Sequence, residues 1–161
     1  MYIRNATQTD LSAIVAIYNE SIPQRTATAD TQPISVASRL SWYRDRPLNR
    51  PLWVVEINQA IVGWLSFQSF YGRPAYQYTS EVSIYITAAY QHQGIGTALL
   101  TKAIAQSPEL NLKTLLAFVF RHNQPSIKLF MRHGFQTWGH LPQIAELDGI
   151  ERDLLILGRR I

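Results

Sequence analysis

The chain contains no cysteine, which excludes disulfide bridges, thiolate-bound zinc and a cysteine nucleophile together. That absence suits a reducing compartment, and a cytoplasmic location is expected. No apolar run approaches the roughly 18 to 20 residues that a membrane-crossing helix needs, and no apolar secretion segment follows Met1 to Arg4. No membrane partner is therefore expected. Charged residues make up only 16% of the chain, and the net charge of +4 comes from scattered Lys and Arg. Without a basic run interleaved with aromatics, a nucleic-acid partner is not expected either. The histidines, His92, His122, His133 and His140, lack the spacing of a metal-ligand set, so no metal is expected. Internal repeats and low-complexity stretches are absent as well.

What remains is an ordinary globular composition, 47% hydrophobic over 161 residues, long enough for one well-buried domain and short for two. A single domain over 1–161 is expected. Tyr2 to Arg4 reads as a short strand, and Thr9 as the cap of a helix whose Leu11, Ile14, Val15 and Ile17 or Tyr18 share a face. That helix should end near Ser21-Ile22-Pro23. A polar, irregular stretch runs to Pro33, and Ser35 offers a cap for a second helix to about Arg44. Leu52 to Ile57 and Ile61 to Phe70 read as a hairpin across Asn58-Gln59. A loop from Tyr71 to Tyr78, rich in aromatic and hydrogen-bonding groups, precedes a strand from Thr79 to Thr87. Ile95 to about Gln106 is helical and Leu112 to Phe120 a strand. Pro125 opens a helix to about His133, with Gly134 as its stop. Phe135 to His140 and Arg152 to Leu157 close the sheet. Mixed strands and helices imply an α/β or α+β single sheet.

Between the strand ending at Ile86 and the helix from Ile95 lies Gln91-His92-Gln93-Gly94-Ile95-Gly96. A glycine-rich turn there sets backbone N–H groups toward one point at the positive end of a helix, which suits a phosphate or pyrophosphate. A plain tight turn needs the same glycines, so the spacing alone leaves both readings open.

Downstream comes a second segment, Asn123-Gln124-Pro125-Ser126 through Leu129 to Gly134-Phe135. The two segments, in this order and separation, resemble the GCN5-related N-acetyltransferase (GNAT) family. The first matches its acetyl-CoA motif, and Asn123, Ser126, Leu129, Gly134 and Phe135 match its later motif. The resemblance covers nearly the whole chain. It implies a GNAT fold, a twisted mixed sheet of about seven strands flanked by helices on both faces, with acetyl-CoA as co-substrate. With Thr79-Ser80-Glu81 and Ile84-Tyr85-Ile86 included, the chain resembles the phosphinothricin acetyltransferase branch, which acetylates the α-amine of small amino-acid analogues.

Transfer of an acetyl group to an amine needs a neutral amine, an aligned approach and donors for the developing oxyanion. From sequence alone Glu81 is an ordinary strand glutamate; the resemblance makes it the general base. Main-chain groups of Ile84, Tyr85 and Ile86 are implied to hold the pantetheine arm. Gln91, His92, Gln93, Gly94, Ile95 and Gly96 are implied to hold the diphosphate. Asn123 matches a cofactor contact, and a helix cap explains it too. Tyr71, Gly72 and Arg73 fall where the branch meets its small-molecule amine, with Arg73 suited to an acidic group. Tyr76 and Tyr78 are expected to wall the pocket, and Glu20 to sit near the substrate entrance. The chain departs from the family at Phe130, where many members carry a Tyr proposed to protonate the leaving thiolate and the branch commonly has His. Hairpin 148–153 resembles that of the branch, with Arg152-Asp153 in place of its aromatic-x-Asp. Homologues of the branch imply a homodimer. Acetylation of peptide or ribosomal-protein N-termini, or CoA binding without turnover, are the competing readings.

Overall fold

The computed structural model describes residues 1–161. Tyr2–Asn5 (β1) runs antiparallel to Leu52–Ile57 (β2), which turns through Asn58 and Gln59 into Ala60–Ser69 (β3). Both turn residues hold positive φ, 50° and 66°, the geometry that lets a two-residue connection follow the twist of its strands. β3 pairs antiparallel with Thr79–Ile86 (β4), and β4 meets Thr114–Phe120 (β5) in the sheet's parallel contact. Gln136–Leu147 (β6) and Ile150–Arg160 (β7) form a long hairpin across Asp148-Gly149. β7 lies inside it, so the seven strands run β1-β2-β3-β4-β5-β7-β6.

Alternation along β2 sorts the core into two layers. Trp53 and Val55 join the larger cluster and Leu52 and Val54 the smaller. Leu11–Ser21 (α1) and Leu40–Arg44 (α2) cover the smaller cluster. Ile95–Gln106 (α3) and Gln124–Arg132 (α4) cover the larger. Helices thus flank both faces of the mixed sheet, as the resemblance implies.

Three local expectations are corrected. Thr9 does not cap α1, because it lies inside the turn Gln8–Asp10. Asp10 organises the start instead, accepting from the Thr7 N–H at 2.7 Å and from Arg4 Nη1 at 2.7 Å. The Arg4 guanidinium, aided by Thr7, holds the Asp10 carboxyl down at about 2. Ser35 does accept from the Ser38 N–H at 3.2 Å, but a 3-10 turn at Ala37–Arg39 follows and α2 has only five residues. Pro47 disfavours helical backbone just beyond it. The closing strands are also longer than expected, since most of β6 is exposed and carries little apolar alternation for a pattern to detect.

One irregularity positions everything that follows. β4 and β5 pair only at Thr79, Ser80 and Glu81, opposite Thr114, Leu115 and Leu116. Beyond Glu81 the two strands part, and the sheet opens at its centre.

Candidate active site

The open sides of the parted strands follow from strand alternation. Thr87 N–H donates to the Val62 carbonyl at 2.9 Å across β3. Main-chain groups on a strand point alternately to its two neighbours, so Tyr85 turns its backbone to β3 while Ile84 and Ile86 turn theirs into the gap. This corrects the expectation for Tyr85, which lines the gap with its side chain instead. The Ile86 carbonyl accepts from Gln91 Nε2 at 3.1 Å, tying the end of β4 to the glycine turn.

In that turn His92 and Gly94 have φ of 60° and 82°. The Gly94 carbonyl accepts from Ala98 N–H at 3.0 Å to begin α3, leaving the N–H groups of Ile95, Gly96 and Thr97 without a protein acceptor, as at any helix start. These donors face a groove of about 350 Å³ that Ile84, Ile86, Gln91, His92, Gly94 and Asn123 help to line. No Lys or Arg lines it, so its attraction for an anion comes from N–H groups and the helix dipole. The two glycines have different reasons. Gly94 needs its left-handed φ, whereas a Cβ on Gly96 would come within 3.0 Å of Leu129 Cδ2, so Gly96 lets α4 pack on α3. Ile95 is buried in the core. Gln93 is exposed, and its side chain folds back to the Ala89 carbonyl at 3.1 Å.

A second cavity of about 340 Å³ adjoins the groove, sharing Ile84, Tyr85, Asn123, Ser126 and Phe130 with it. Glu81 stands in its wall at the point where the strands part. Burial raises the Glu81 pKa, with Ser83 opposing; a carboxylate with few water contacts holds its proton more tightly. Phe130 is 4% exposed and packs edge-on against Phe135 at 5.0 Å, so the junction has an apolar ring where a proton donor was to be looked for.

The roof of this cavity comes from the irregular stretch that precedes Pro33. Ala27, Thr28 and Ala29 line it. Asn123 Nδ2 donates to the Thr26 carbonyl at 3.2 Å, while Asn123 Oδ1 accepts from Ser126 N–H at 3.3 Å as the cap of α4. Tyr85 Oη donates to the Ala27 carbonyl at 3.2 Å, and the Thr28 hydroxyl meets Tyr18 Oη at 2.5 Å. Tyr18 also donates to Asp30. The small and hydroxyl-bearing run Thr26-Ala27-Thr28-Ala29 is the only signal of this role in the sequence.

Of the remaining residues, the exposed Tyr71 and Tyr76 cluster on the half-buried Phe70, with ring centroids 4.4 Å and 5.3 Å from it. Tyr71 has φ of 53° and Gly72 of 63°, which turn the loop sharply. Gly72, Arg73 and Tyr76 line one shallow cavity, and Tyr71 lines the next together with Glu81. Arg73 is exposed and has no acid partner. Two residues are corrected. Glu20 accepts from the Thr87 hydroxyl at 2.6 Å and the Ala88 N–H at 3.0 Å, so both carboxylate oxygens cap the turn after β4 rather than face an acceptor. Tyr78 lies beneath Lys113, whose Nζ is 4.6 Å from the ring centroid, and lines none of these cavities.

Residues 14–135 match the model of the Acetyltransferase (GNAT) family. Among curated relatives, YwnH of Bacillus subtilis (strain 168), provisionally named a phosphinothricin acetyltransferase, is 49% identical over 100% of this chain and 99% of its own length. An L-methionine sulfoximine/L-methionine sulfone acetyltransferase of Salmonella typhimurium is 30% identical over 98% of this chain and 92% of its own. Among solved structures, a GNAT superfamily phosphinothricin acetyltransferase from Sinorhizobium meliloti in complex with AcCoA superposes with a TM-score of 0.93 at 27% identity. It covers 99% of this chain and 88% of that one. No helix is long and apolar enough to cross a membrane.

Proposed function

We propose, from the premise that the chain belongs to the acetyltransferase (GNAT) family and is an acetyl-CoA-dependent N-acetyltransferase, that its one domain, 1–161, acetylates the α-amine of a small amino-acid-like acceptor of the phosphinothricin or methionine sulfoximine type. The observation that carries the proposal is the parting of β4 and β5 at Glu81, with a groove and an adjoining cavity along the gap. Two substrates, one in each, meet where they join.

The free N–H groups after Gly94 hold the diphosphate, Ile84 and Ile86 the pantetheine arm, and Asn123 its inner end. An Ile84 main-chain N–H aimed into the gap stabilises the oxyanion as the amine attacks. Glu81 removes the amine proton, directly or through one water, and its raised pKa makes it a stronger base than a solvated carboxylate. Because Phe130 has no proton to give, the departing thiolate, a tolerable leaving group, takes up through water the proton that Glu81 removed from the amine. Arg73, with Tyr71, Gly72 and Tyr76 around it, pairs with the acceptor's acidic group.

A cytoplasmic homodimer is part of the same reading. The hairpin β6–β7 exposes Trp138, Leu141, Ile144 and Ile150, apolar surface of the kind a partner copy covers.

The test is a panel of amino-acid analogues, plain amines and peptides incubated with acetyl-CoA, with thiol release followed colorimetrically. Phosphinothricin-like and sulfoximine-like amines are expected to give the highest kcat/KM. Preference for peptides would move the acceptor to the N-terminal class, and thiol release from none of them would reduce the chain to a CoA-binding module.

A further inference from the structure

Beside the loop that carries Arg73 lies a cavity that the reaction above does not use. It has a volume of about 340 Å³ and is lined by Ser41, Trp42, Asp45, Arg46, Arg50 and Ser69 among others. Arg50 is 3% exposed, yet its donors meet only carbonyls: Asn49 at 3.0 Å, Gln77 at 2.7 Å and Thr79 at 3.3 Å. Its Nε is buried without any partner. Arg46 donates through Nε to the Arg50 carbonyl at 3.0 Å and through Nη2 to the carbonyls of Pro51 and Phe67. Its Nη1 has no protein acceptor. Trp42, whose ring centroid lies 4.8 Å from the Arg46 guanidinium carbon, has a buried and unpartnered Nε1. Asp45 is exposed and forms an ion pair with neither arginine.

Buried polar groups in folded proteins nearly always have a partner, and carbonyl acceptors offset only part of the cost of withdrawing a cation from water when no carboxylate faces it. Here the buried Arg50, the half-buried Arg46 and an orphan indole N–H border one open cavity, and all are donors. Burial pulls both guanidiniums below their ordinary value, Arg46 to about 10, which leaves Arg46 charged at neutral pH. The missing partner is an anion.

The cavity also leads toward the reaction. Ser69 and Arg50 border the cavity that holds Arg73, and Ser69 and Phe70 border the one that reaches Glu81. Gln68, in the same cavity wall, is the register partner of Glu81, and directly opposed residues project to the same sheet face.

We propose that this cavity is a second anion subsite of the acceptor site, taking the distal carboxylate, phosphinate or phosphonate of an acceptor whose amine lies at Glu81. The proposal rests on the acceptor reading given above. It implies a ranking within the acceptor class proposed above: amines with two acidic groups, one for Arg73 and one for Arg46 and Arg50, are preferred over those with a single acid, so phosphinothricin-like acceptors over sulfoximine-like ones.

The experiment compares pairs of acceptors that differ only in whether the distal acid is free or amidated. In Arg46→Gln, KM for the free-acid members is expected to rise about tenfold, the loss of a charge-assisted hydrogen bond. The amidated members and acetyl-CoA should keep their KM. Ser41→Glu, which places a carboxylate at the cavity without touching the bonds that Arg46 makes, should give the same selective loss even if Arg46→Gln fails to fold. Equal loss for both members of each pair, or no loss for either, would overturn the proposal and leave Arg46 as a pin for the neighbouring backbone. Inorganic phosphate should compete with free-acid acceptors only; phosphate that binds without competing would assign the cavity to a free anion and also overturn it. A phosphonate-bearing amine should quench tryptophan fluorescence in the wild type and not in Trp42→Phe. That signal needs no turnover, so the subsite is tested even if no acceptor is acetylated.

Discussion

Glu81 combines two properties that a base needs: it stands where two cavities meet, and burial makes its carboxylate reluctant to lose a proton. Only the ionised form accepts the amine's proton, so a raised pKa moves the loss of activity on acidification to higher pH. The kcat/KM profile is expected to show an acidic limb above the roughly 4.3 of a solvated glutamate. In Glu81→Gln the limb should vanish and the plateau fall by about 10² to 10⁴, with acetyl-CoA affinity unchanged by calorimetry. A limb that persists in the variant would assign it to another group. At this scale the sequence is a partial guide. The places of Glu81 on β4 and of Asn123 before α4 are legible, because the position of a motif fixes which strand or helix start carries each residue. Glu20 and Tyr78 are misread for the converse reason. Each lies in a correctly located segment, but which N–H group or ring a side chain meets depends on distant residues, here Thr87 with Ala88 and Lys113.

The strand, turn and helix from Thr79 to Gln106 are legible because the period of the apolar residues changes from two to near four across Gly94. The parting of β4 from β5 is not, since a strand that faces a gap has the same apolar pattern as one that faces a neighbour. Segment 26–30 is hidden because its contacts are hydrogen bonds between main chain and side chains far away in sequence. Elements also separate the two glycines of the turn. Gly96→Val is expected to destabilise the fold by about 1–3 kcal/mol, since the added atoms meet Leu129 in a packed layer. Gly94→Ala meets open space and should cost roughly 1 kcal/mol through its left-handed backbone alone. Urea denaturation compares them. If Gly96→Val were as stable as wild type, the packing reason for that glycine would be wrong.

Across the whole molecule, the sheet holds two helix-covered cores apart and leaves the passage between them open only at its centre. The exposed apolar residues of the β6–β7 hairpin lie outside both cores, and sedimentation velocity is expected to give twice the chain mass; a single-chain mass would contradict the homodimer. Strand count and helix placement are legible from periodicity and the resemblance together, whereas the length of the hairpin is not, because most of β6 faces solvent. The most direct measurement is a crystal structure of the protein with acetyl-CoA and an unreactive acceptor analogue. The diphosphate should lie on the N–H groups after Gly94 and the thioester between Ile84 and β5, with the acceptor nitrogen within one water of Glu81. A thioester outside the gap, or an acceptor nitrogen on the far side of the sheet from Glu81, would contradict the account.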